Sequence, residues 1–143
     1  MMKKNQQFLA ALLRTIQVGQ VGIRSVLDTS MRSSLREVLE MQLSEYDSIE
    51  TEAYSIALQR GWDLPELDPG KRFLKDRITR MKLNGRNTDS RIADILILEN
   101  TKAMIRGLKY LHQSDNQDHQ IRILSQKLLD CETAHIRQMQ IFL

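Results

Sequence analysis

Over most of its length this chain places an apolar residue every three or four positions, with few helix-breaking residues in between. Leu9, Leu12, Leu13, Ile16, Ile23 and Leu27 form a first stripe; Leu35, Val38, Leu39, Leu43, Tyr46, Ile49, Ala53, Ile56 and Ala57 form a second. Ile92, Ile95, Leu96, Leu98, Met104, Ile105, Leu108 and Leu111 give a third and broader one, and Ile121, Leu124, Leu128, Cys131, Met139 and Phe142 a fourth. Such spacing marks one buried face of an α-helix. The 143 residues include only 2 prolines and 6 glycines, and both prolines fall in one short stretch, so the stripes can run as long helices. The expectation is a single all-α domain, a four-helix bundle with helices over about 5–27, 31–59, 88–112 and 117–142.

The breaks say how the helices connect. Asp28-Thr29-Ser30 is short and supplies N-cap candidates for the second helix, while Gly61 is placed as the C-cap residue at its end. Ser114-Asp115-Asn116 is the second short break, and Thr88 or Asp89 would cap the third helix. Short links fold neighbouring helices back antiparallel. The stretch from Gly61 to Asn87 is different. It holds Pro65 and Pro69, then a shorter apolar pattern (Phe73, Leu74, Ile78, Met81) predicting a helix over 71–83. A link of this length lets the third helix start at the far end of the bundle. The predicted architecture is therefore two antiparallel helix pairs joined by one long crossover with an extra short helix. Gly19 and Gly22 fall mid-helix, where glycine costs up to about 1 kcal/mol against Ala, and so mark close approach of another helix, either within the bundle or across a dimer interface. Trp62 is expected to pack across the bundle end.

Charge is unevenly spread. The chain carries a net +3, but residues 71–86 hold Lys71, Arg72, Lys75, Arg77, Arg80, Lys82 and Arg86 against Asp76 alone. This segment is read first as a solvated face; binding of a polyanion or nucleic acid through it is the alternative. One cysteine, Cys131, excludes an intramolecular disulfide and suits a reducing compartment. No run of residues is long and apolar enough for a membrane helix, so no membrane partner is expected and a cytoplasmic location is. No phosphate-binding glycine loop, Ser-His-Asp arrangement or Cys/His zinc spacing is present.

Several short patterns together resemble the ferritin-like superfamily: Leu43-Ser44-Glu45-Tyr46-Asp47 and Ala53 to Gly61 in the second helix, Asp89-Ser90-Arg91-Ile92-Ala93-Asp94 opening the third, and Leu128-Leu129-Asp130-Cys131-Glu132 in the fourth. More narrowly, the chain resembles small bacterial ferritin-like proteins of unknown function, of a Firmicutes type. The resemblance implies where a di-iron or di-manganese centre would lie. Members with such a centre take one Glu from each of two helices and a Glu-x-x-His pair from each of the other two, because residues i and i+3 share a helix face.

Against that ligand set the chain is half complete. Glu132-Thr133-Ala134-His135 supplies one pair in the final helix, and Glu99 is a candidate bridging carboxylate in the third. The second helix reads Glu45-Tyr46-Asp47-Ser48, with Ser where His is needed. The first has no carboxylate before Asp28 and offers only Gln17 and Gln20 near its inward stripe. Glu132 with His135 is read first as a hydrogen-bonded polar pair, and Cys131 as a small buried apolar side chain. The expected function is that of a structural or interaction protein, not an enzyme, with no competent di-metal centre and no resident cofactor. The broad apolar surface of the third helix points to a homodimer. The alternative is a degenerate or mononuclear iron or manganese site drawn from Glu132, His135, Glu99 and Glu45.

Overall fold

The computed structural model describes residues 2–66, 89–113 and 118–143. Among them stand four α-helices and no strand: α1 (Met2–Leu27), α2 (Ser33–Arg60), α3 (Asp89–Gln113) and α4 (His119–Gln140). They pack as a four-helix bundle. The helix expected at 71–83, the cationic side chains from Lys71 to Arg86 and the Ser114-Asp115-Asn116 break lie outside the described residues. None of the described helices is long and apolar enough to cross a membrane.

The apolar stripes become the core. Leu9, Leu13 and Ile16 of α1, Leu35, Leu39 and Ile49 of α2, Ile92 and Leu96 of α3, and Ile121, Leu124 and Met139 of α4 are all buried in one cluster. The broad stripe of α3 is only partly used. Leu98, Ile105 and Leu108 remain 50%, 46% and 38% exposed, which leaves an apolar line along its outer face.

Cross-helix contacts fix the directions. Gln20 faces Asp47 while Gln17 faces Glu50 and Tyr54, so α1 and α2 are antiparallel. Gln42 meets Gln138 at one end of the α2–α4 seam and Arg60 meets Asp118 at the other, which makes that pair antiparallel as well. Phe8 packs edge-on against Tyr110 at 5.5 Å, and Gly22 lies beside Leu96, so α3 also opposes α1. It follows that α2 and α3 run the same way. Their N-terminal ends are joined by an Arg32–Asp89 ion pair of 3.3 Å, and the end of α2 lies at the opposite end of the bundle from the start of α3.

Helix ends show where local chemistry decided and where it was outbid. Gly61 takes a left-handed conformation (φ 68°), its N–H bonding Leu58 O at 3.3 Å and that of Trp62 bonding Ala57 O at 2.9 Å. This is the glycine C-cap expected there. The guanidinium of Arg60 stacks over the Trp62 ring at 5.2 Å, and Trp62 packs half-buried on the core. The N-terminus of α2 departs from expectation. Its cap position is Arg32, whose side chain makes no capping bond. Thr29 instead donates its hydroxyl to Val26 O at 2.6 Å, closing α1, and so is spent before α2 begins. The cap of α4 is Asp118, which accepts from the N–H groups of Gln120 (3.0 Å) and Ile121 (3.4 Å).

Asp118 also pairs with Arg60 at 2.6 Å, tying the start of α4 to the last turn of α2. The Arg60 hydrogen bond holds the Asp118 carboxyl below its ordinary range, against the opposing effect of burial. Replacing Asp118 with Ala is expected to cost about 1–2 kcal/mol at neutral pH, whereas Asp118→Asn, which keeps the cap, should cost less. Because the folded-state pKa is depressed, this stabilisation is complete above the unfolded value near 4 and disappears as pH falls through the lowered one. Urea midpoints of the wild type and Asp118→Asn should therefore differ at pH 7 and converge as pH falls through the depressed Asp118 pKa.

Candidate metal centre

Three of the polar side chains in the core come from one turn of α4: Cys131, Glu132 and His135, all buried. Cys131 and His135 are four residues apart and share a helix face, while Glu132 is rotated from Cys131 by about 100°. The Glu-x-x-His residues, though three apart, nevertheless turn to different neighbours. Glu132 Oε2 lies 3.0 Å from the Tyr46 hydroxyl, whereas His135 Nε2 lies 3.2 Å from Cys131 Sγ and 3.4 Å from Glu45 Oε2. They do not form the polar pair expected from sequence.

Of the four sequence candidates, the structure brings Glu45 and His135 together, and adds Cys131. Cys131 Sγ is 3.5 Å from Glu45 Oε2, so thiol, imidazole and carboxylate converge on one point between α2 and α4. Among the described residues this is the one such convergence of three His, Cys, Asp or Glu ligand atoms. Glu99 and Glu132 fall elsewhere, on the wall of a small cavity that also touches Gln42, Asn100 and Arg106. Gln17 and Gln20, the polar residues of α1, donate instead to Glu50, Tyr54 and Asp47 of α2 and take no part in either place.

The triad lies at the edge of the core. His135 is fully buried and Cys131 nearly so, but the Glu45 side chain is 39% exposed, so the group opens to solvent through α2. Burial lowers the His135 pKa, partly offset by the Glu45 carboxylate, so the imidazole is neutral and carries a lone pair. Burial, reinforced by the same carboxylate, raises the Cys131 thiol above its ordinary range. Alone, then, Cys131 is a protonated and unreactive thiol. A metal ion would reverse this, since coordination deprotonates a thiol outright.

Tyr46 holds the imidazole in place. Its ring meets His135 edge-on at 5.0 Å and 83°, and its hydroxyl lies within bonding distance of both Glu132 Oε2 and Asn100 Oδ1 (3.2 Å). Burial raises the Tyr46 pKa, with the charge of Glu132 adding to it, so the phenol keeps its proton. Burial likewise pushes the Glu132 carboxyl up to about 7, opposed by the Tyr46 bond and by Arg106. The cavity beside it is of about 20 Å³, the size of one water molecule.

Comparisons with known proteins return no family model, no curated protein and no solved structure that matches the chain.

The position of Tyr46 depends on Gly19, where an added Cβ would come within 2.6 Å of Tyr46 Cζ. Gly19→Ala should therefore destabilise the bundle by about 1–3 kcal/mol despite the better helix propensity of Ala. Gly22→Ala is the control. There the added Cβ meets Leu96 Cδ2 at an ordinary 3.9 Å, and the substitution should be neutral or stabilising by up to about 1 kcal/mol. Urea unfolding of the two variants tests the contrast.

Proposed function

We propose that this protein is a metal-binding helical bundle that holds a single ion between Glu45, Cys131 and His135. One observation carries the reading: three ligand atoms of three different chemistries, two from one turn of α4 and one from α2, 86 and 90 residues earlier, converge within 3.5 Å of one another. A hydrophobic core does not need that arrangement, and burying polar groups together costs free energy unless they are satisfied. Two of the ligands would be anionic when a divalent ion is bound, and together they would neutralise its charge at the edge of the core.

The ferritin-like resemblance fits this proposal at the level of architecture. Parallel α2 and α3 flanked by antiparallel partners support the long-crossover arrangement that the superfamily shares. The ligand set supports a mononuclear site in place of a di-metal one, because Glu132 bonds Tyr46 and Glu99 stands with it at the cavity. A reducing compartment, as expected for a cytoplasmic protein, would keep Cys131 available as a ligand.

The proposal is tested by dialysing metal-free protein against micromolar divalent metals, followed by metal analysis. The wild type should retain one ion per chain. Glu45→Gln, chosen because Glu45 is half-exposed and the change is isosteric, and Cys131→Ser should each weaken binding by at least about 100-fold while helical circular dichroism is unchanged. Retention of no metal by the wild type, or equal retention by both variants, would overturn it.

A second reading concerns assembly. The exposed line Leu98, Ile105 and Leu108 on α3 favours a homodimer, since an antiparallel pairing of this face with itself would set the exposed Asp94 of one copy near Lys109 of the other. Sedimentation should give a dimer mass that Ile105→Lys shifts to monomer; a monomer mass for the wild type at all concentrations contradicts it.

A further inference from the structure

The donor set and its spacing identify the class of ion. We infer that the Glu45–Cys131–His135 site is a zinc site with one open coordination position, an inference that rests on the metal-binding reading above. The fold resemblance alone would lead to iron or manganese, and the residues lead elsewhere.

Ligand chemistry is the first ground. Thiolate donors select zinc, copper(I) and iron–sulfur clusters; imidazole suits zinc, copper, iron and nickel; and manganese and magnesium are held by sets made of carboxylates, carbonyls and water, so zinc is the ion that thiolate and imidazole share as a single divalent cation without redox chemistry. Here one thiol and one imidazole outweigh one carboxylate. The additional carboxylates that a hard ion would need are turned away, Glu132 by its bond to Tyr46 at 3.0 Å and Glu99 by its place at the cavity.

Geometry is the second ground. With zinc bonds of about 2.0–2.1 Å to nitrogen, about 2.0–2.2 Å to oxygen and about 2.3 Å to sulfur, tetrahedral angles put neighbouring donors roughly 3.3–3.6 Å apart. The three separations are 3.4 Å (N to O), 3.5 Å (S to O) and 3.2 Å (N to S). The first two need no adjustment and the third a few tenths of an ångström. A right-angled octahedral corner with bonds of about 2.1 Å would bring nitrogen and oxygen to about 3.0 Å, so the nitrogen–oxygen and sulfur–oxygen separations favour the tetrahedron, whereas the 3.2 Å nitrogen–sulfur separation lies nearer a right angle.

Ligand count is the third ground. Among the described residues no fourth His, Cys, Asp or Glu joins the group, and the exposed side is that of Glu45. Zinc sites that are purely structural are closed by four protein ligands, whereas those that act on a bound molecule keep three and leave the fourth position to water or substrate. By this count the site is of the open type, a Lewis-acid centre facing solvent through α2, able to take a small anionic or neutral oxygen, nitrogen or sulfur donor as its fourth ligand.

Affinity alone does not discriminate, because most sites prefer zinc to manganese. The experiment is therefore spectroscopic, with cobalt(II) as the probe. Metal-free full-length protein given one equivalent of cobalt(II) should show the intense visible absorption of tetrahedral cobalt together with a near-ultraviolet sulfur-to-cobalt charge-transfer band. One equivalent of zinc should bleach both, and an equivalent of manganese should leave both in place. Cys131→Ser should lose the charge-transfer band, and azide added to the wild type should shift the visible bands as it enters the open position. A weak octahedral cobalt spectrum without a sulfur band, or displacement of cobalt by manganese as readily as by zinc, would overturn the zinc assignment while leaving metal binding standing. An intense spectrum unmoved by azide would overturn the open position. Absence of any cobalt uptake would remove the metal-binding reading itself.

Discussion

The hydroxyl of Tyr46 lies within bonding distance of Glu132 on α4 and of Asn100 on α3, while the Tyr46 ring rests on the bare backbone of Gly19 on α1. One side chain of α2 thus touches the other three helices at the middle of the bundle. Its ring packs at right angles to that of His135, and its hydroxyl engages Glu132 on the side away from the thiol–imidazole–carboxylate group. The separation of the core into an acid beside a small cavity and a thiol–imidazole–carboxylate group at the edge follows from this contact. A phenylalanine at this position would fill the same space and leave Glu132 and Asn100 without their shared partner, which is costly for buried polar groups.

That separation also bears on the site proposed between α2 and α4. A bundle core offers inward positions on facing helices, and the residues placed there decide what it binds. In this chain the inward turn of α4 carries cysteine one helical turn before histidine, and α2 brings a single half-exposed glutamate across to meet them. Two anionic donors and one neutral donor would balance a divalent ion without further help from the surroundings. A core with so few aromatics, built mainly from leucine and isoleucine, gives the site a water-poor wall on one side and solvent on the other.

The helices and their core faces were legible in the sequence, because periodicity is a local signal that long amphipathic helices state many times over. The Gly61 cap was legible for the same reason, needing only a left-handed residue at the end of a stripe. Gly19 and Gly22 both announced close packing, yet only the partner's shape separates them: an aromatic ring leaves no room for a methyl group, and a leucine does. The Asp28-Thr29-Ser30 cap misled because Thr29 had two helices to serve and closed the first. Cys131 was hidden by its position on an apolar stripe, where a thiol and an aliphatic side chain read alike. What distinguishes it is Glu45, 86 residues earlier, and no local pattern carries that pairing. A four-residue Cys–His spacing on an inward face was the available clue.

X-ray absorption at the zinc edge of the zinc-loaded protein tests the site most directly. One sulfur scatterer at about 2.3 Å with three nitrogen or oxygen scatterers at about 2.0–2.1 Å is the expected first shell, and the sulfur contribution should vanish in Cys131→Ser. A shell of six nitrogen and oxygen donors without sulfur would contradict it.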